Sequence, residues 1–310
     1  MNTAHHQPDF GVIFDVIVVG GSYAGLSAAM QLARARRRVL VIDSGQRRNR
    51  YATHSHGFLT QDGKEAAAIA AEGRAQLLAY PNVAWANETA VAAAAAGDQF
   101  LVTLPDGGQV VGRRLVLATG VADALPPIEG LAERWGKSVF HCPYCHGYEL
   151  DEGDIGVLAT SEMSMHHALM LPDWGRVTLF LNEAFTPDDA QRAALARRGV
   201  TTEKTAVARI DGAADVVLQD GRRLPMAGLF VVPRTSSASA LAGQLGCATE
   251  AGPMGDFVQT DMQKATSVPG VFCCGDMARA AGNVAFAVAD GAMAGVAAHR
   301  SLIAELEHAA

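Results

Sequence analysis

Within about 30 residues the chain passes through an apolar run, a glycine turn, a helical stretch, a second apolar run and an acid. Few folds accept that order. Asp15-Val16-Ile17-Val18-Val19 is short, apolar and β-branched, as a buried strand requires. It ends in Gly20-Gly21-Ser22-Tyr23-Ala24-Gly25, and a helical pattern runs from Leu26 to about Arg36. Val39-Leu40-Val41-Ile42 then forms a second strand, closed by Asp43. Together these make a dinucleotide-binding βαβ unit. Its glycines let the backbone approach a pyrophosphate, and the helix N-terminus turns free N–H groups towards that anion. Asp43 stands where a carboxylate can accept hydrogen bonds from a ribose. The middle glycine of the usual G-x-G-x-x-G is Ser22, small enough to admit the phosphate.

Downstream, 65–78 reads as an alanine-rich helix, and 99–104 with 109–111 as a hairpin around Pro105-Asp106-Gly107-Gly108. Leu115 to Gly120 is a strand ending in a small-residue turn, and Pro126-Pro127 marks a nearby domain crossover. A second α/β segment follows Cys145, with strands at 155–159 and 177–181 and helices at 163–171 and 187–198. The chain closes with Val271-Phe272-Cys273-Cys274-Gly275-Asp276 and a long small-residue helix over 285–306. The expected fold class is therefore α/β, with two nucleotide-binding, Rossmann-like, three-layer domains.

The 310 residues suffice for two domains. A net charge of -7 argues against nucleic acid or an anionic membrane surface as partner. No apolar stretch reaches the length of a membrane span, and 1–11 lacks the order of a signal peptide. Five unevenly placed cysteines do not make a disulfide framework, so the expected compartment is the cytoplasm. There a close pair such as Cys142-Pro143-Tyr144-Cys145 reads as redox-active, since CxxC permits a disulfide within one tight turn. A structural disulfide or half a zinc site are the alternatives. No second pair lies at a spacing that would complete a tetrahedral site, so no metal is expected. Cys273 and Cys274 read as buried packing thiols pointing to opposite faces of a strand. Cys247 has no evident role.

The glycine turn, Leu117-Ala118-Thr119-Gly120, Cys142-x-x-Cys145 and Gly275-Asp276 occur in an order and spacing that resemble the low-molecular-weight thioredoxin reductases over nearly the whole chain. The resemblance implies a discontinuous FAD domain (1–121 and 241–310), a CxxC-bearing insert (122–240) and a homodimer. It implies that Gly20, Gly21, Ser22, Ala24 and Gly25 line the FAD pyrophosphate and that Asp43 holds the adenosine ribose. Arg47 and Asn49 would touch the phosphates or adenosine, and Ala118, Thr119 and Gly120 would border the cofactor. Gly275 and Asp276 would meet the ribityl chain or flavin phosphate. Asn283, Val284 and Ala285 would aim a helix N-terminus at the flavin edge that gains charge on reduction. Cys145 would face the flavin and Cys142 would exchange with substrate.

Two departures follow. Where thioredoxin reductases carry an aspartate after the second cysteine, this chain has His146. It can act as a general base, stabilise a thiolate as imidazolium, or serve only as a hydrogen-bonded helix residue. Cys-Pro-Tyr-Cys-His-Gly-Tyr-Glu is similar to the branch containing the dithiol oxidases of gliotoxin and holomycin biosynthesis. The second departure is the turn that binds NADPH in the reductases. Here it reads Ala159-Thr160-Ser161-Glu162-Met163-Ser164, without glycine, and no paired arginines follow the next strand. The expectation is an FAD-dependent dithiol/disulfide oxidoreductase that does not use NADPH and passes electrons to oxygen or another acceptor. Its partner would be a small dithiol or a thioredoxin-like substrate. An NAD(P)H-dependent thioredoxin reductase and a non-catalytic redox sensor are the alternatives. His54 and His56 would lie near the flavin or the dithiol channel.

Overall fold

The computed structural model describes residues 11–308. It opens with β1 (Ile13–Val19), α1 (Tyr23–Arg34), β2 (Val39–Ile42), α2 (Ala66–Leu78), β3 (Val83–Ala86), β4 (Ala92–Ala96), β5 (Gln99–Thr103) and β6 (Gln109–Leu117). The middle of the chain forms β7 (Val139–Phe140), α3 (Pro143–His146), β8 (Glu152–Leu158), α4 (Ser164–Met170), β9 (Gly175–Phe180), α5 (Asp189–Arg197) and β10 (Thr201–Glu203). After these come β11 (Val207–Asp211), β12 (Asp215–Leu218), β13 (Arg223–Leu224), β14 (Gly228–Val231), β15 (Val271–Cys273) and α6 (Val284–His308). Contacts divide the chain into two compact units. The first comprises 1–48, 67–122 and 235–310; the second comprises 49–66 and 123–234.

The first unit is built on a parallel sheet ordered β3-β2-β1-β6-β15. The sequence suggests two short strands within 109–120, and the structure makes one nine-residue strand, β6. The C-terminal half of β6 pairs with β15, while its first half continues into an antiparallel meander with β5 and β4. Gly112-Arg113-Arg114 interrupts the apolar run, yet the strand survives there. Gly112 lies against Ile17 where a Cβ would clash, and the buried Arg114 donates to Ser301 Oγ at 2.8 Å and Ser301 O at 3.1 Å.

The small residues of α6 have a packing reason. A side chain at Gly291 or Gly295 would run into the α1 backbone at Ala24 and Ala28. The two helices therefore touch backbone to backbone, and Ser27 Oγ donates across the contact to Val288 O at 2.7 Å. Val16, Val18, Leu32, Val41 and Val116 fill the space between sheet and helices, while Ile17, Leu40, Leu115 and Leu117 face the opposite layer. That alternation is the period-2 pattern of strands covered on both faces.

The second unit repeats the plan with a parallel sheet ordered β7-β14-β8-β9-β10 and an antiparallel meander of β11, β12 and β13. Its α5 starts with a capping box, in which Asp188 accepts from the Gln191 N–H and the Gln191 side chain accepts from Asp188 N–H. Both units are thus Rossmann-type α/β layers, as the sequence suggests. Among the described residues no helix is long and apolar enough to cross a membrane.

Candidate functional site

In the first unit the sequence-selected loops meet at the carboxyl ends of the parallel strands, where open α/β sheets bind ligands. Gly20 leaves β1 at φ +102°, and its N–H donates to Ile42 O at 2.8 Å. The Gly21 N–H donates to Asp43 Oδ1 at 2.9 Å, tying the turn to the end of β2. Gly25 packs on the Gly20 carbonyl so tightly that no Cβ fits. Ser22 is the N-cap of α1 in extended conformation and makes no side-chain cap, and the first helical turn carries no acid. This leaves an uncapped helix N-terminus beside a glycine turn, the surroundings an anion needs.

Ala118 continues β6, its N–H donating to Val19 O at 2.8 Å. Thr119 Oγ1 lies 3.2 Å from Met277 Sδ, and Gly120 sits at φ +70°. Gly275, at φ +73°, packs against Ala24. Asp276 Oδ2 accepts from Arg48 Nη1 at 2.9 Å. Asn283 Oδ1 caps α6 by accepting from Phe286 N–H at 2.7 Å, so Val284 and Ala285 open the helix. Arg47 is half-buried, and Asn49 lies in a 3-10 turn over Arg48–Tyr51.

Sequence reading passed over Arg48 and Trp85. Trp85 packs against Gly21, with the Arg74 guanidinium 4.3 Å above its ring. Arg48 stands in a run of arginines and asparagine that offers no local sign of which member turns inward. The close-fitted glycines, the uncapped N-terminus and a carboxylate at the end of β2 suit the pyrophosphate and ribose of FAD.

The second unit carries the cysteine pair. β7 delivers the chain to Cys142, which N-caps α3 in extended conformation, with Pro143 at the first helical position. Cys142 and Cys145 are joined as a disulfide, with their Cα atoms 5.3 Å apart. Their neighbours are aromatic. The His146 ring stacks on Phe140 at 4.3 Å between centroids, and Tyr144 meets Trp174 edge-on at 5.3 Å. Burial, and then the charge of His56, lower His146 to about 4, so it is neutral at physiological pH. His56 is itself held by Glu149, with Nδ1 3.3 Å from Oε1, and lies 3.8 Å from Asp62. The loop histidine that the sequence places near the dithiol channel therefore faces the residue after the pair. His54 makes its own contact, with Nδ1 3.0 Å from Thr53 Oγ1.

The remaining cysteines are inert. Cys273 and Cys274 are fully buried and belong to core layers on opposite faces of the sheet. Burial raises both thiols, Cys274 to about 12. Cys247 is buried, with Sγ 3.6 Å from Thr266 Oγ1, and burial raises it as well.

The turn between β8 and α4, where a second dinucleotide would bind, is occupied by its own side chains. Thr160 N–H donates to Ser164 Oγ at 3.1 Å, and Thr160 Oγ1 donates to Val232 O at 2.9 Å. Ser164 N–H donates to Ser161 O at 3.0 Å, and Ser164 is fully buried.

Comparison with known proteins agrees with this architecture. The family model described as pyridine nucleotide-disulphide oxidoreductase matches residues 14–294. Thioredoxin reductase SirT of Leptosphaeria maculans is 35% identical over 306 residues, covering 91% of this chain and 92% of its own. Among solved structures, an oxidoreductase from Agrobacterium tumefaciens superposes with a TM-score of 0.92 at 55% identity, covering 94% of this chain and 99% of that one. HlmI superposes with a TM-score of 0.89 at 36% identity, covering 96% and 94%. A Rossmann-type glycine turn, a second α/β unit bearing a CxxC disulfide and this kinship lead to one conclusion. The chain belongs to the pyridine nucleotide-disulphide oxidoreductase family as a thioredoxin reductase-like, FAD-dependent disulfide oxidoreductase.

Proposed function

We propose that this protein oxidises small dithiols through the Cys142–Cys145 disulfide, draws no electrons from NADPH, and passes them to oxygen or another acceptor. The observation that carries the NADPH part is the β8–α4 turn. A phosphate there needs backbone N–H donors, and those of Thr160 and Ser164 are already spent on Ser164 Oγ and Ser161 O. Glu162, whose carboxylate accepts from the Gln191 amide, adds negative charge where an anion would have to sit. Gln191 belongs to the capping box of α5, which holds that acid in place.

At the pair, a substrate thiolate attacks Cys142 Sγ and releases Cys145 as the leaving thiolate. The second substrate thiol then displaces Cys142, leaving the protein reduced and the substrate cyclised or cross-linked. FAD, when bound, would supply the two-electron acceptor for the reduced pair and the route to the terminal acceptor. The proposed holders of its pyrophosphate are Gly20, Gly21, Ser22, Ala24 and Gly25, with Asp43 on the ribose. Asp276, steadied by Arg48, would meet the ribityl chain or flavin phosphate, bordered by Ala118, Thr119, Gly120 and Gly275. Arg47 and Asn49 would approach the phosphates or adenosine. The α6 N-terminus at Asn283, Val284 and Ala285 would face the flavin edge. His146 would stand beside the pair as a neutral imidazole, and its lowered pKa disfavours the imidazolium that taking up a thiol proton would create.

The protein is further read as a cytoplasmic homodimer. Phe286, Met293, Val296 and Ile303 are each more than 40% exposed, and their spacing puts them on one side of α6. A second copy would cover them, and sedimentation equilibrium tests this. The decisive experiment on function is anaerobic, with the flavin band followed near 450 nm while NADPH and then dithiothreitol are added. Bleaching by the dithiol alone is expected. Rapid bleaching by NADPH would overturn the reading.

A further inference from the structure

The stretch of chain between Asp276 and α6 is short and is fastened at both ends. Gly275–Ala278 forms a 3-10 turn directly after β15. Asp276 is held by Arg48, and Gly282 returns so close that a Cβ there would overlap Asp276 Oδ1. Asn283 then caps α6. Ala280, Ala281 and Gly282 offer no side chain long enough to tie the loop down, which leaves Arg279. Its guanidinium lies 4.5 Å over the Phe286 ring, and its Nε is 3.5 Å from Asp290 Oδ2, so it runs along the first two turns of the helix.

Asp290 is only 4% exposed, and its Oδ1 meets Lys264 Nζ at 2.9 Å. Lys264 is left-handed, at φ +68°, a conformation that any residue with a Cβ adopts at a cost. Asp261 shapes that turn: its Oδ1 accepts from Gln263 N–H at 2.8 Å and from Ala265 N–H at 2.9 Å. Lys264 O accepts from Cys273 N–H in β15 at 3.0 Å. Asp290 Oδ2 accepts no hydrogen bond among the described residues. A buried carboxylate, an unmet oxygen and a left-handed lysine are each unfavourable alone. An apolar pair of similar volume would pack here without those costs, so stability does not account for the charges. Strain gathered beside a binding loop points to a function for it.

We propose that Asp290 and Arg279 are positioning residues for FAD: Asp290, aimed by Lys264, holds Arg279 along α6 and so fixes the 276–283 loop that carries Asp276 and leads into the helix N-terminus.

The role rests on the reading of Asp276 and of Asn283, Val284 and Ala285 as cofactor holders. Lys264 takes Oδ1 and thereby sets the rotation of the carboxylate, so that Oδ2 is presented to Arg279. An arginine is always charged, and its attraction to Oδ2 acts through charge at 3.5 Å without a hydrogen bond. With Arg279 released, the loop keeps its two ends and loses its middle.

The test dilutes the holoprotein and follows release of FAD by the rise in flavin fluorescence. Arg279→Gln should speed release by about 3- to 10-fold. Its thermal melt at saturating FAD should stay close to wild type, because Lys264 and Asp290 remain paired. Arg279→Lys keeps the charge and should recover part of the hold. Lys264→Met combined with Asp290→Leu should release FAD about as fast as Arg279→Gln, although apolar side chains now fill the site. A merely structural ion pair would not separate cofactor retention from stability in this way. Adding Arg279→Gln to that double variant should change little. Arg279→Gln carries the comparison should the double variant fail to fold. Asp276→Ala is the reference for the cofactor reading. If it releases FAD faster while Arg279→Gln matches wild type, the positioning role is overturned and the cofactor reading stands. If Asp276→Ala retains FAD as wild type does, the cofactor reading of Asp276 falls, and the positioning role with it.

Discussion

Replacing Gly25 with alanine adds one methyl group at the tightest point of the nucleotide turn. That methyl would meet the Gly20 carbonyl oxygen, with the Gly20 carbonyl carbon 2.9 Å away and Ala118 Cβ at 3.4 Å. The first two are backbone atoms and cannot rotate aside. Gly20 is tied by its own N–H to Ile42, and Gly21 to Asp43, so the turn must open or α1 must slide. Sliding is opposed by the backbone contact of α1 with Gly291 and Gly295. Overpacking of this kind costs about 1–3 kcal/mol. Charged to cofactor binding, that is roughly a 5- to 150-fold loss of FAD affinity. The assay is titration of the apoprotein with FAD by quenching of flavin fluorescence, with circular dichroism to confirm the fold. Gly199→Ala is the control. That residue is left-handed, at φ +67°, and nothing lies within 4 Å of its added Cβ. It should lose about 1–2 kcal/mol of stability and no affinity. If Gly25→Ala bound FAD within about twofold of wild type while the control behaved as expected, the cradle assigned to this turn would be wrong.

Cys142→Ser and Cys145→Ser should each end dithiol turnover while leaving FAD content intact, measured by thiol titration and the flavin spectrum; turnover in either variant would remove the pair from the reaction. Acidification should destabilise the fold through its buried histidines. His146 and His167 are lowered to about 4 and about 3 from 6.5, so the stability they contribute is complete above pH 6.5 and is lost as pH falls towards those values. The loss, up to about 3–5 kcal/mol for each, should appear as a falling urea midpoint between pH 7 and 4, with a shallower fall in His167→Phe. Asp290→Ala should destabilise by about 3 kcal/mol, because it strands the partly buried Lys264 (Nζ–Oδ1 2.9 Å) and removes the partner of Arg279 (Nε–Oδ2 3.5 Å). Lys264→Met combined with Asp290→Leu should recover much of that loss in a thermal melt.

The first βαβ unit was legible because its signals are local: a β-branched run, a glycine turn and Asp43 follow one another in a single stretch of chain. The hairpin at Pro105–Gly108 was legible for the same reason, and Leu104 N–H closes it on Gly108 O at 2.8 Å. The continuity of β6 was hidden, because two arginines interrupt its apolar pattern and the distant Ser301 helps to satisfy the one that is buried. The surroundings of the disulfide were hidden more deeply. His56 reaches Glu149, and His141 reaches His167 beside Phe230, across separations that no local pattern encodes. The loop of His56 was placed near the channel, but its acidic partner was not, and His167 reads in sequence as an ordinary polar residue. Nor does any composition shift mark 49–66 as belonging with the second unit.

The interleaved chain order of the first unit has a consequence for synthesis. Its central strand β6 keeps half of one edge unpaired until β15 is made, about 150 residues later. Over the same interval α1 lacks α6, whose glycines form the other side of its closest contact. The CxxC unit between them, by contrast, has all its strands once residue 231 has emerged. On the ribosome the dithiol module can therefore fold before the nucleotide module closes, and the cofactor turn spends most of translation as an unfinished surface.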